Sequence, residues 1–191
     1  RMRADFKVVL DACVLANFGV CDLLLRLAEP PRLYLPQWSE NILTEVRNVQ
    51  TEKLGWPINL VDSWQCEVRA AFPEAMVDGY EGLIEVVRND QKDRHVLAAG
   101  IRSQSPVIVT FNLRHFKTEA LTPWSISAVH PQDYLLTLYS IEPAVVIEKL
   151  GMIAQKRNKD LQDVLIGLGK SVPAFAHHIL QKLELPDEDN I

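Results

Sequence analysis

The sequence predicts an α/β fold in which a parallel sheet carries helices on both faces and is followed by a C-terminal helical extension. Short apolar, β-branched runs typical of strands alternate with stretches of helical spacing along the first 140 residues. Such alternation is typical of crossover connections, and therefore of a parallel sheet. Beyond about residue 140 the strand patterns stop and only helical spacing continues.

The first part of the chain is predicted to contain two strands and three helices. The strands are expected at residues 6–10 and 32–35. The helices are expected at residues 12–28, 39–49 and 58–72. Pro30-Pro31 and Pro73 end the first and third of these helices, and Ser39 is a suitable N-cap for the second.

The remainder contains two further strands and a series of helices. The strands are expected at residues 106–110 and 125–129, and residues 89–93 form a polar turn. Helices are expected at residues 80–87, from 95 onward, and at 145–157, 161–168 and 175–183. The predicted domain organisation is therefore a main domain of residues 1–140, a helical extension of residues 141–184, and an acidic, disordered tail of residues 185–191.

The composition is that of an ordinary globular chain. Of the 191 residues, 48% are hydrophobic and 24% are charged, which excludes collagen-like and disordered proteins. No apolar run approaches the ~18–20 residues of a membrane span, so neither a membrane helix nor a secretory leader is expected. Three cysteines without metal-type spacing favour a reduced, cytoplasmic protein. The net charge of −5 argues against nucleic-acid binding through bulk positive charge.

Polar side chains follow the predicted strands where ligands bind in open α/β sheets. Asp11 follows the first strand and Asn112 closely follows the strand around residue 108. Asp93 opens a helix, whose dipole favours its ionised form, and Glu45 offers a third negative charge from another helix. Converging oxygen ligands repel one another unless a cation lies among them, and they favour Mg²⁺ or Mn²⁺ over zinc. Taken singly, an Asp at a strand end or a helix start is usually a cap, and Asn112 and Glu45 also have ordinary explanations as a turn residue and a solvated helix charge.

Four stretches in this order, residues 8–15, 38–46, 89–99 and 109–116, resemble the motifs of the PIN-domain ribonucleases. The stretch at residues 130–135 and the helices after it resemble the longer PIN toxins, which have an extra C-terminal helical domain. The resemblance implies a three-layer PIN-like fold with four or five parallel strands. It also implies a Mg²⁺- or Mn²⁺-dependent endoribonuclease, most often the VapC-type toxin of a bacterial type II toxin–antitoxin pair. Such toxins cleave structured RNA such as tRNA, are neutralised by a protein antitoxin, and are often homodimers.

The resemblance also assigns roles to individual residues. Asp11, Glu45, Asp93 and Asn112 take the catalytic positions, and the three acids bind the metal. Candidates for supporting roles are Asp90, Thr110 and His115. Candidates for contacts to RNA phosphates are Lys92, Arg94 and Arg114, which lie beside the acidic positions in sequence.

Three positions depart from the common pattern and leave alternatives open. Cys13 stands where Asn or Ser is common, and Asn112 and His115 stand where many members have Asp. A nuclease without an antitoxin, acting in RNA processing or on DNA, is one alternative. A catalytically degenerate PIN domain that serves as a binding module is the other. The sequence does not decide whether the helical extension dimerises, binds antitoxin or holds RNA.

Overall fold

The structure, a computed structural model, describes residues 6–183 and contains a four-stranded parallel sheet. The strand order is β2-β1-β3-β4, and all pairs are parallel. The strands are β1 (Lys7–Leu10), β2 (Leu35–Gln37), β3 (Val107–Val109) and β4 (Ser127–Val129). In the register of the central pair, Val9 lies opposite Ile108.

Helices connect and flank these strands. The α-helices are α1 (Ala12–Leu15), α2 (Phe18–Ala28), α3 (Glu40–Asn48), α4 (Ile58–Ala71), α5 (Glu81–Ile84), α6 (Arg94–Ser103), α7 (Thr118–Leu121), α8 (Pro131–Ile141), α9 (Pro143–Arg157), α10 (Leu161–Gly169) and α11 (Pro173–Lys182). A π-helical turn, Val49–Lys53, continues α3, and a 3-10 turn, Gln91–Asp93, precedes α6. The predicted α/β class, the parallel sheet with flanking helices and the C-terminal helices are therefore confirmed.

Two compact units divide the described chain. The first contains residues 6–16 and Tyr34–His130, and so holds the sheet. The second contains Asn17–Leu33 and residues 131–183, and so combines α2 with α8–α11. The predicted domain limits at residues 140 and 184 stay a prediction, and the predicted acidic tail, 185–191, lies outside the described residues.

Small residues on α6 bring this helix close to the middle of the sheet. Helix α6 packs against β1 and β3, and Ala98 and Ala99 are fully buried. A Cβ atom at Gly100 would lie 3.6 Å from the side chain of Ile108, so the glycine allows a close approach of helix and strand. This packing fixes the start of α6 relative to the carboxyl ends of the two central strands.

The strand order itself places a crevice at those carboxyl ends. The chain leaves β1 for β2 on one side and returns to β3 on the other side, so connections diverge between β1 and β3. Ligands bind at such a switch point in open α/β sheets. Asp11 directly follows β1 and Thr110 directly follows β3, and the Asp11 N–H donates to the Val109 carbonyl at 3.1 Å. Both side chains therefore lie at the crevice.

The second unit is held by buried apolar residues and a small set of polar contacts. Asp22 receives hydrogen bonds from Arg26 and from Arg157, each at 2.7 Å. Lys149 is buried, and its Nζ donates to the Pro30 carbonyl at 3.0 Å. A buried ammonium group requires such an acceptor because burial removes its contact with water.

Two predicted elements differ from the observed ones, and two observed α-helices, α7 and α8, were not predicted. The helix expected at 12–28 is interrupted because the Asn17 side chain accepts from the Val20 N–H at 3.2 Å and starts α2. The strand expected at 32–35 lies instead at Leu35–Gln37 and includes Pro36. An edge strand tolerates proline because its outer N–H has no ladder partner to lose.

Within the described part of the chain, no helix combines the length and the apolar character that crossing a membrane requires.

Candidate active site

Asp11 is a buried carboxylate held by three donors at the end of β1. It is 2% exposed, and its Oδ1 accepts from the Ala12 N–H at 2.7 Å. Its Oδ2 accepts from the Thr110 hydroxyl at 2.7 Å and from the Cys13 thiol at 3.3 Å. Burial raises the pKa of Asp11 above its usual value; the hydrogen bond from Thr110 opposes this rise, and the nearby charge of Asp93 adds to it. Ionisation of Asp11 therefore costs free energy in the folded protein, and a bound cation would offset that cost.

The Cys13 thiol lies beside Asp11 and donates to it, because an ionised carboxylate can only accept. Burial raises the pKa of Cys13 to about 12, with the charge of Asp11 contributing. The sulfur also accepts from the Phe111 N–H at 3.4 Å. Cys13 therefore stays protonated and takes the place of the hydroxyl or amide donor expected from the resemblance.

Asp93 lies at the start of α6 and is paired with His115. Asp93 is 8% exposed, and its Oδ2 lies 2.5 Å from His115 Nδ1. The Arg114 Nε–H donates to His115 Nε2 at 3.2 Å. Because Nε2 accepts, the hydrogen of the neutral ring is on Nδ1, which donates to Asp93. His115 therefore holds the carboxylate through a hydrogen bond in this arrangement.

Asp90 joins this pair to form a compact group. Among the described residues, the one set of three or more acidic, His or Cys side chains whose ligand atoms all lie within 4.8 Å of one another is Asp90, Asp93 and His115. The backbone holds this group together, because the Asp90 N–H donates to the His115 carbonyl at 3.1 Å. Asp90 and His115, predicted as supporting residues, thus lie beside Asp93.

Glu45 reaches the same region from α3. Its Oε1 lies 2.9 Å from Nε2 of His95, which lies on α6 two residues after Asp93. The Glu45 side chain is 43% exposed, whereas that of His95 is 9% exposed. Neither Glu45 nor Asp11 belongs to the 4.8 Å group, so the metal set predicted from the sequence, Asp11, Glu45 and Asp93, stays a prediction.

Asn112 follows Thr110 in the loop after β3. The Thr110 hydroxyl accepts from the Asn112 N–H at 3.0 Å while it donates to Asp11. Thr110 therefore couples the backbone of the Asn112 loop to the Asp11 carboxylate. Asn112 is half-buried, and its side chain does not cap the turn Leu113–His115 that follows it.

The predicted phosphate-contacting cations lie next to members of the acidic group along the chain. Lys92 and Arg114 are exposed, and Arg94 is half-buried. Of the described Lys and Arg residues, none forms an ion pair with Asp11, Asp90 or Asp93. Within residues 6–183 the acidic group thus has no Lys or Arg counter-ion, and His115 contacts it through the hydrogen bond to Asp93.

The donor set fits a divalent cation of the hard class. Asp11 and Asp93 are both buried, the charge of Asp93 disfavours ionisation of Asp11, and Asp90 adds an exposed carboxylate. Carboxylate oxygens are the ligands that Mg²⁺ and Mn²⁺ prefer. Since these carboxylates have no Lys or Arg partner in residues 6–183, a cation is the group that best completes the site.

Replacing Thr110 with Val should weaken the site without removing a carboxylate. The isosteric change leaves the Asn112 N–H without its acceptor and leaves Asp11 Oδ2 with only the weaker donor Cys13. An unsatisfied buried group costs about 1–3 kcal/mol. We expect a lower free energy of unfolding by that amount, measured by urea denaturation, and a weaker Mn²⁺ affinity in a binding titration.

Thr122→Val is the matched control, because the exposed Thr122 hydroxyl donates only to the Thr118 carbonyl in its own turn. Its unfolding free energy should change by less than about 0.5 kcal/mol, as is usual for surface positions. Equal effects of the two changes would contradict the role given to Thr110.

Sequence reasoning did not single out His95, which pairs with Glu45. The feature that could have identified it is its position at the head of His95–Gly100, a segment in which the residues after the histidine are apolar or small and buried. Burial of a histidine among such residues requires a polar partner. The partner is 50 residues away along the chain, so local pattern alone could not identify it.

Comparison with known proteins gives one informative match. The chain is 38% identical over 130 residues to the Mycobacterium tuberculosis protein named "Putative ribonuclease VapC50", an alignment covering 65% of this chain and 76% of that protein. No protein-family model matches the chain, and no solved structure matches it significantly.

Proposed function

The chain belongs to the VapC family of PIN-domain proteins, and from this premise we propose that it is a divalent-metal-dependent endoribonuclease. It acts as the toxin of a type II toxin–antitoxin pair and is neutralised by a protein antitoxin. The observation that carries the proposal is the pair of buried carboxylates, Asp11 and Asp93, at the switch point of the sheet without a Lys or Arg counter-ion among the described residues.

Asp11, Glu45 and Asp93 are the residues that would hold Mg²⁺ or Mn²⁺. When bound, such a cation supplies Lewis-acid polarisation of a phosphodiester oxygen. Asp11 and Asp93 are oriented by Thr110 and His115, which fix one oxygen of each carboxylate. Asp90, next to Asp93, adds an exposed negative charge to this group.

Asn112 takes the fourth catalytic position as a neutral ligand or orienting group. Its backbone is fixed by Thr110 at the edge of the crevice. An amide in place of a carboxylate leaves three firm negative charges, from Asp11, Glu45 and Asp93. The expected consequence is a lower metal affinity than a four-acid site would have, with the site retained.

Basic side chains around the acidic group would bind the RNA backbone. Lys92 and Arg114 are exposed, so both can reach a phosphate, and Arg94 lies beside them in sequence. Because the whole chain has a net charge of −5, binding would depend on such local cations. Structured RNA such as tRNA is the proposed substrate class, and the cytoplasm is the proposed place of action.

The proposed antitoxin would act at the same crevice. A peptide that places a basic side chain among the carboxylates would compete with the cation, because both neutralise the same charges. We also propose that the protein forms a homodimer, as is frequent in the family.

An RNA cleavage assay with controlled metal tests the proposal. The purified protein is incubated with end-labelled tRNA and with Mg²⁺, Mn²⁺ or EDTA. We expect endonucleolytic products with either ion, no product with EDTA, and recovery when the metal is restored. Intact RNA under all conditions would contradict the nuclease assignment and favour the binding-module alternative.

A growth assay separates a toxin from a nuclease without an antitoxin. Expression of the chain should arrest growth, and co-expression of a neighbouring gene product, the proposed antitoxin, should relieve the arrest and block cleavage in vitro. Cleavage that this protein leaves undiminished would contradict the toxin–antitoxin assignment while leaving the nuclease assignment intact.

A further inference from the structure

His95 links two of the segments that form the candidate site. It lies in the first turn of α6, two residues after Asp93, and is 8% exposed. Its Nε2 lies 2.9 Å from Glu45 Oε1 on α3. The contact therefore joins the helix that begins at Asp93 to the side chain of the second predicted metal-binding acid.

The direction of this hydrogen bond follows from the chemistry of the ring. A carboxylate only accepts, so Nε2 must carry a hydrogen, as it does in the protonated ring and in the neutral Nε2–H form. The other ring nitrogen, Nδ1, is buried and has no hydrogen-bond partner in the described structure. In the described structure, Glu45 is therefore the one hydrogen-bond partner of the His95 ring.

Glu45 needs such a restraint to contribute to a metal site. Its side chain is 43% exposed and has several rotatable bonds, so in solution it would sample many positions. Aside from His95, no described residue forms an ion pair with it. The contact with the buried ring selects one orientation of the carboxylate.

We propose that His95 is a positioning residue that holds Glu45 in the orientation needed for the divalent cation. This inference rests on the proposed metal-dependent function. Among the described residues, His95 is the one that forms an ion pair with Glu45 and so can restrain its carboxylate. His95 acts through Glu45 and contacts neither the RNA nor the cation.

A second histidine provides a contrast. His115 holds Asp93 through Nδ1, whereas His95 holds Glu45 through Nε2. The amide nitrogen of Gln can take the place of Nε2–H, and that of the shorter Asn can take the place of Nδ1–H. A positioning role at residue 95 therefore predicts that His95→Gln is tolerated and His95→Asn is not.

The first experiment compares these two variants in the full chain. Mn²⁺ affinity is measured by the electron paramagnetic resonance signal of free Mn²⁺, and kcat and KM are measured on labelled tRNA. Loss of a residue that orients a metal ligand typically costs about 10–100-fold in affinity or activity. We expect this loss in Mn²⁺ affinity and kcat for His95→Asn, with KM for RNA little changed, and a loss of less than about threefold for His95→Gln.

A double-mutant cycle tests whether the effect passes through Glu45. In a Glu45→Ala background, His95→Asn should cause little further loss, because its partner is already absent. His177→Asn, at an exposed position of α11, is the matched control and should leave Mn²⁺ affinity and kcat unchanged. Wild-type properties of His95→Asn, or equal losses in His95→Asn and His95→Gln, would overturn the inference, as would full additivity with Glu45→Ala.

A measurement that needs no change at residue 95 covers the case in which His95→Asn does not fold. Nitrogen-15 NMR of histidine-labelled protein should show a hydrogen on Nε2 of His95, and this signal should shift in Glu45→Ala. A neutral ring with its hydrogen on Nδ1 would overturn the inference. Because the Mn²⁺ and NMR readouts do not use RNA, they remain valid if the wild-type chain cleaves none, an outcome that would instead reject the proposed function.

Discussion

Asp93→Asn is expected to lower kcat/KM for RNA cleavage by about 10³-fold, the largest effect of any single substitution in the site. The change removes one charge from the group that would hold the cation. A metal ion contributes several kcal/mol of transition-state stabilisation, and ~4 kcal/mol corresponds to about 10³-fold in rate. Single-turnover cleavage of labelled tRNA at saturating Mg²⁺ measures the loss.

The fold should survive this substitution, because the Asn side chain can still accept from His115 Nδ1. The melting temperature of Asp93→Asn should therefore stay close to that of the wild type in EDTA. Asp78→Asn, at an exposed residue, is the matched control and should retain full activity. If Asp93→Asn kept its activity within tenfold of the wild type, Asp93 would not be a metal ligand.

Asp11→Asn is expected to have two opposite effects. Activity should fall by about 10²–10³-fold, since the carboxylate at the switch point is lost. In the metal-free protein, however, the free energy of unfolding at neutral pH should rise. Burial raises the pKa of Asp11, which means that the folded state disfavours the ionised carboxylate. The neutral amide removes that cost and can still accept from the Ala12 N–H.

The pH dependence of this stability gain follows from the direction of the shift. Between 3.8, the ordinary value, and its raised value, the folded state binds more protons than the unfolded state at Asp11. The stability contributed by this group therefore falls as pH rises through that window. The gain in free energy of unfolding from Asp11→Asn should be complete above the raised pKa and absent below about 3.8.

Urea denaturation of both proteins in EDTA across this pH range measures the difference. Added Mn²⁺ should stabilise the wild type and not the variant, because only the wild type retains the full carboxylate set. A variant less stable than the wild type at neutral pH would show that the hydrogen bonds to the Asp11 carboxylate outweigh the cost of burying its charge.

Local sequence patterns were sufficient to predict the sheet and the position of Asp11. The run before Asp11 is apolar and β-branched, and β1 ends at Leu10, one residue before the acid. Ser39 was likewise identifiable as a cap, and its hydroxyl accepts from the Ile42 N–H. Such features depend on residues within one turn or strand, so the sequence contains the whole of the relevant interaction.

Contacts between distant segments could not be predicted in the same way. The pairs Glu45–His95 and Asp93–His115 join residues 50 and 22 positions apart, and no periodicity indicates which acid meets which histidine. The break of the first helix at Asn17 depends on one side-chain cap that competes with otherwise good helical spacing. Tertiary structure decides these features.

We expect Asp11, Glu45 and Asp93, although distant in sequence, to share one divalent cation. A crystal structure of the protein soaked in Mn²⁺, with the ion located by its anomalous scattering, tests it most directly. We expect a peak at coordination distance from an oxygen of Asp11 and an oxygen of Asp93, with Glu45 directed to it or bound through water. A peak held by Asp90, Asp93 and His115 without Asp11, or no peak among these residues, would contradict it.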